Sequence, residues 1–276
     1  MDKFVSSTDI NQDRYYNNFF DQRKINAVYF PTIVNLNIKE IFIVIKKIQK
    51  SDKYFNKIDL LSFKDFLYSL NFLIRRKKLF IKNIFYNKYD ISNLINSEIN
   101  SNLNLNASII GIQNYLFAKK LNQNKLSIKK IINWFENTAV DKGLSFGVKK
   151  YLKKVELIGY QGFTTYKEFM CLDPLSYEKK FNVIPDKIIC IGKNLILAKK
   201  ELFHNIPVKL GPALRFDHVH NKYKKKRFTN SVLVNLNLDY NSSKLIIENL
   251  LKTEFYKKFG GKLFIKSHPL LDIKKI

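Results

Sequence analysis

Two short stretches of this sequence place reactive side chains where chemistry could use them. In KLFIKSHP (262–269) an apolar run ends in Lys266, Ser267 and His268, followed by Pro269. A cation, a hydroxyl and an imidazole at a strand's carboxyl end, ahead of a proline suited to a helix's first turn, can grip a nucleotide diphosphate. The competing reading is a solvated surface turn. DYNSS (239–243) ends another apolar run and opens a helix, so Ser242 and Ser243 could add hydroxyls and amides to the same anion. In WFENTAVDKG (134–143), Glu136 follows Trp134 and Phe135. A carboxylate held among aromatic rings has a raised proton affinity and suits a general base. An acid placed at a helix start only for its dipole would look the same.

Weaker signals surround these. Asn137 follows Glu136, and GYQGF (159–163) sets Gln161 and Gly162 at a second strand end, where glycine permits close approach of a ligand. Gly192 marks a third strand end. Arg215, in GPALRF, could reach a phosphate across an interdomain cleft or pair with Asp217. His218 and His220 lack a third and fourth ligand at fixed spacing, so no metal is expected. Cys171 and Cys190 sit among apolar neighbours without metal-ligand spacing and read as buried free thiols.

These groups need elements to hold them. The first hundred residues read as mainly helical, with apolar residues at three-to-four spacing over 37–50 and 61–78. A polar, Asn-rich stretch (95–108) precedes another helix at 107–121. From Ile128 short apolar strands (129–137, 155–163, 186–194) alternate with helices and turns, and 172–185 reads as loop. That alternation predicts a parallel α/β sheet, with function at the strands' carboxyl edge. Residues 206–230 read as a linker between a domain of residues 1–205 and a second one beginning at 231. There a strand (231–238), a helix (242–259) and a strand (262–266) form one βαβ unit. Ser242 or Ser243 is its expected N-cap and Gly260–Gly261 its stop.

Composition bounds the rest. A net charge of +26 invites nucleic acid as a partner, but 43 of the 49 basic residues are Lys. Arginine, preferred for forked phosphate and base contacts, is scarce, so nucleic-acid binding is not expected. The start of the chain has no apolar leader core and IFIVI (41–45) is too short to span a bilayer, so a cytoplasmic protein is expected. The Lys-rich surface, KYKKKR (222–227) included, could rest against an anionic inner-membrane surface.

Taken in order, WFENTAVDKG, IGYQGF, CLDPLSYEKKFNVIPDKIICIG, GPALRF and IKSHP resemble bacterial surface-polysaccharide glycosyltransferases of the GT-B type. These are capsule and lipopolysaccharide enzymes related in plan to polysialyltransferases and teichoic-acid polymerases. The resemblance runs from about Asn26 to Pro269 and is strongest between Ile128 and Gly192. It implies two Rossmann-like domains facing a cleft, with a nucleotide-sugar on the second and a glycan or lipid-linked acceptor on the first. Glu136 would take the acceptor proton; Lys266 and His268 would bind the donor phosphate, with Ser242 and Ser243 in a donor-side loop. No metal or other cofactor is implied. Such an enzyme continues past its His-Pro motif, so the second domain is expected to be incomplete in residues 231–276. Other readings are a polyol-phosphate transferase on the same scaffold, a basic nucleic-acid-binding protein, and a non-catalytic assembly protein.

Overall fold

The structure, a computed structural model, describes every residue except 6, 12, 14, 18, 24, 34–35, 77–78, 102–104, 165–171, 203–205, 217–229, 238 and 269–276. The chain divides into two compact units, Met1–Asp217 and His218–Ile276. The boundary falls inside the 206–230 stretch read as linker, but residues 208–210 of that stretch form a strand of the larger unit's sheet.

In the larger unit, β1 (Asp2–Val5) and β2 (Phe30–Ile33) pair in parallel, with the short α1 (Phe19–Gln22) between them. Four helices follow with a small hairpin among them: α2 (Ile38–Gln49), α3 (Phe63–Leu70), α4 (Phe72–Arg76), the hairpin β3 (Phe85–Tyr86) and β4 (Tyr89–Asp90), and α5 (Ser92–Asn100). Their ends are specified locally. Asn37 and Glu40 cap α2 reciprocally, and Ser62 and Asp65 do the same for α3. The predicted single helix over 61–78 is divided at Asn71, a residue type whose side chain competes for backbone hydrogen bonds.

α5 lies within polar sequence that periodicity does not mark as a helix. It is held by side-chain-to-backbone bonds instead. Asn96 exchanges two with Ile81, at 2.8 and 2.9 Å, and Ser92 Oγ accepts from the Ile84 N–H at 3.0 Å.

α6 (Leu105–Gln123) and α7 (Ala139–Tyr151) then cross at their glycines. A Cβ on Gly143 would stand 2.0 Å from the Gly111 carbonyl oxygen, so the two backbones touch directly. Between these helices runs β5 (Lys130–Trp134), first of four parallel strands completed by β6 (Glu156–Gln161), β7 (Lys187–Cys190) and β8 (Val208–Leu210), in the order β5-β6-β7-β8. Residues 172–185, read as loop, contain the short α8 (Ser176–Lys180), and α9 (Lys193–Leu202) precedes β8. β6 is central and nearly all buried, as expected of a parallel strand covered on both faces. Leu116, Phe117, Leu121, Val148 and Leu157 form one core beneath α6 and α7. Phe135, Ile184, Ile188 and Cys190 form another. At the sheet's amino edge Glu156 bridges Lys187 and Lys130 at 2.6 and 3.3 Å, and Asp186 accepts from the Leu157 N–H at 2.7 Å while pairing with Lys149.

The smaller unit contains β9 (Ser231–Asn235) and β10 (Lys262–Lys266), parallel and joined through α10 (Tyr240–Lys252) and α11 (Glu254–Lys258). The N-cap of α10 is Asp239, not Ser242 or Ser243. Its carboxylate accepts from the Ser242 N–H at 2.7 Å and so takes the amide that a serine cap would have used. Thr253 interrupts the predicted 242–259 helix and caps α11, which ends just before Gly260.

The architecture is therefore α/β with a parallel sheet, compatible with a Rossmann-like fold. Among the described residues no helix is long and apolar enough to cross a membrane.

Candidate active site

The carboxyl edge of the larger sheet is where distant pieces of chain converge. The segment after β1 lies over the ends of β5 and β6: Tyr15 is 3.9 Å from the Trp134 ring, centroid to centroid, and Tyr16 is 5.5 Å from Tyr160. The turn after β8 joins them, because the Tyr160 hydroxyl donates to the Pro212 carbonyl at 2.9 Å and accepts from the Leu214 N–H at 3.2 Å. Burial in this aromatic cluster pushes the Tyr160 phenol up to about 12. It is a hydrogen-bonding strut at neutral pH.

Two of the nominated residues meet on Trp134. Its indole N–H donates to Glu136 Oε1 at 2.8 Å, and the Arg215 guanidinium stands 6.0 Å from its ring and from that of Tyr15. A carboxylate and a guanidinium thus flank one buried tryptophan at the end of a parallel strand, a cation–π arrangement on one side. Glu136 is exposed, not packed between Trp134 and Phe135 as the sequence suggested. Phe135 is fully buried in the core, and the Trp134 ring meets the acid through its N–H. Glu136 Oε2 has no protein partner among the described residues.

The turn that carries Glu136 is fixed by Asp141, which the sequence reading did not single out. This buried carboxylate accepts from the backbone N–H groups of Glu136 (3.1 Å) and Thr138 (2.9 Å), the Thr138 hydroxyl (3.0 Å) and Asn133 Nδ2 (2.9 Å). The Thr-x-x-Asp spacing of a helix start was the signal that could have revealed it. Asn137 occupies the left-handed region (φ 55°), which asparagine tolerates. Its side chain is buried, donating to Glu178 Oε2 at 3.4 Å. It shapes the turn.

Beside the turn lies a cavity of about 330 Å³, with Glu136, Thr138, Asp141, Asn133, Asn114 and Lys57 among its polar lining residues. Most of the rest is apolar, including Phe30, Ile110 and Leu144. The Asn133 and Asn114 amide nitrogens donate to Asp141 and to the Val140 carbonyl, which fixes their orientation. Their Oδ1 atoms are buried acceptors without a protein partner among the described residues, capacity that water or a bound hydroxyl satisfies in most proteins.

Other nominated residues play structural parts. Gln161 is buried: its Nε2 donates to the Leu172 carbonyl at 3.1 Å, and its Oε1 accepts from Cys190 Sγ at 3.5 Å. Gly162 is required by the aromatic cluster, since a Cβ there would stand 2.5 Å from both the Trp134 and Tyr160 rings. Arg215 belongs to the larger unit, in a 3₁₀ turn over Leu214–Phe216. Cys190 is a buried free thiol pushed up to about 12 by desolvation. A buried Lys199–Asp173 pair, also unforeseen, links α9 to the 172–175 turn, and burial pulls Lys199 down to about 8.

In the smaller unit, the parallel register puts Lys266 opposite Asn235, so the 267–268 turn and the loop that opens α10 leave the same sheet edge. Lys266 is exposed, and Ser267 and His268 are half-buried. Ser243 is fully buried and donates to Asn237 Oδ1 at 2.8 Å, which removes it as an anion ligand. Ser242 is half-buried behind the Asp239 cap, whose carboxyl is held below its usual range by hydrogen bonds from Ser242. That negative charge works against an anion at this helix start. Lys266 and His268 thus remain the phosphate-binding candidates here. Cys171, Asp217, His218, His220, the 222–227 basic run and Pro269 lie outside the described residues.

Compared with known proteins, the chain matches no family model, no curated sequence and no solved structure.

Proposed function

We propose that this chain is a glycosyltransferase moving a sugar from a nucleotide-sugar onto a hydroxyl of a surface glycan or lipid-linked acceptor. The observation that carries the reading is Glu136, an exposed carboxylate oriented by Trp134 and Asp141 at the carboxyl edge of a parallel sheet, beside a cavity of about 330 Å³. Function in such sheets gathers at this edge. The GT-B resemblance in the same stretches supplies the reaction class.

In this reaction the acceptor hydroxyl oxygen attacks the donor's anomeric carbon and Glu136 accepts its proton. The bond between that carbon and the phosphate oxygen breaks with its electron pair on the phosphate. Cationic side chains can take up the added negative charge, a role that the GT-B resemblance gives to Lys266 and His268. We assign Arg215, beside Trp134, the role of binding an anionic group of the substrate.

The test is transfer by the protein as it occurs in its cell, with a panel of nucleotide-sugars. Glu136→Gln should retain the fold and lose transfer, and His268→Ala should weaken donor use. Undiminished transfer in both variants would show the assignment of roles to be wrong.

A further inference from the structure

Residues 63–90 carry an apolar surface that is turned outward. On α3 the inward side packs through Phe66 and the buried Ser69. Phe63 (75% exposed), Leu67 and Leu70 recur at three-to-four spacing on the outward side, where a water-facing helix would place polar residues. The pattern continues through Ile74 (64%) on α4, Phe80 (64%) in the following loop and Phe85 and Tyr89 (75%) on the hairpin. Tyr68, Phe72 and Leu79 line a shallow groove of about 560 Å³ together with Tyr115 and Phe146 of α6 and α7. Charge is interleaved with these groups. The segment holds seven Lys and Arg against two Asp, a net charge of +5. Lys64, Lys82 and Lys88 are exposed, while Asp65 is paired with Lys120 at 3.4 Å.

We propose that this segment docks the protein on an anionic lipid bilayer, with its exposed aliphatic and aromatic side chains in the headgroup–acyl boundary and Lys64, Lys82 and Lys88 on lipid phosphates. Charge complementarity selects that occupant. Lysines beside exposed aromatics match a negatively charged, amphipathic surface. Nucleic acid would share the lysines and aromatics but offers nothing to exposed aliphatics such as Leu67 and Ile74. The proposal is independent of the role given to Glu136.

The experiment is co-sedimentation of the whole protein with vesicles of phosphatidylcholine alone and of phosphatidylcholine mixed with phosphatidylglycerol, with light scattering in parallel. Binding to the mixed vesicles and little to the neutral ones is expected. Changing Phe63, Ile74 and Phe80 together to Ser should weaken it about tenfold or more. Changing Lys64, Lys82 and Lys88 together to Glu, which leaves the apolar groups intact and guards against misfolding of the first variant, should do the same. Absence of binding to the anionic vesicles, or binding unchanged in both variants, overturns the proposal. So does a dimer that the apolar variant disperses, since a second copy would then cover this surface.

Discussion

Glu136→Gln keeps the side chain's shape and its bond from Trp134 but removes the proton acceptor, so kcat should fall by about 10²- to 10⁴-fold with thermal stability unchanged. Asp141→Asn should behave differently. It weakens an acceptor that serves four donors among the described residues, three in the turn and one on β5, so urea unfolding should show a loss of about 2–3 kcal/mol together with reduced transfer. Comparing the two variants would separate the residue proposed to act on substrate from the one that positions it. Glu136 was legible in the sequence because an acid stands out after an apolar strand. Asp141 was not, because its importance lies in the number of hydrogen bonds it accepts, which only the folded turn reveals. Gln161 and Gly162 misled for a related reason: a glycine and an amide at a strand end look the same whether a ligand or a tryptophan ring occupies the space beside them.

The elements that hold the turn are α7 and the strand before it, and α7 is fixed by its crossing with α6. Gly143→Val should cost about 3 kcal/mol or more in chemical denaturation, because a side chain there meets the Gly111 backbone and one helix must move. At the α3 start, burial alone would raise Asp65, but bonds from Ser62 and the Lys120 ammonium outweigh it and hold the carboxyl below its usual range. A depressed folded value stabilises the protein above the unfolded value and is lost as pH falls through the folded one. Wild type should therefore exceed Asp65→Asn in stability at neutral pH, and the difference should vanish as acidification passes the depressed folded value, followed by denaturant unfolding. The strands β5, β6, β7, β9 and β10 were legible because apolar runs of strand length alternate with helical stretches, whereas α8 and β8 fall in stretches that read as loop and linker. α5 was not, since polar side chains bound to backbone hold it, and neither were β1 and β2, which lie among helices.

Among the described residues, the four buried hydrophobic clusters all fall within the larger compact unit. Residues 1–217 expressed alone should therefore keep a cooperative thermal transition by circular dichroism. The net charge of +26 bears on surfaces and partners and leaves the fold open. The parallel α/β character was legible from the chain's alternation, whereas the place where a lipid surface could attach was hidden until exposure of individual side chains was known. The most direct test of glycosyl transfer is to incubate the protein with a panel of nucleotide-sugars and acceptor lipids or glycans, reading product masses and released nucleotide. The expected result is an acceptor heavier by one sugar residue, with stoichiometric nucleotide release, that disappears in Glu136→Gln. A folded protein that gives neither product with any donor, or that transfers equally well without the Glu136 carboxylate, would contradict it.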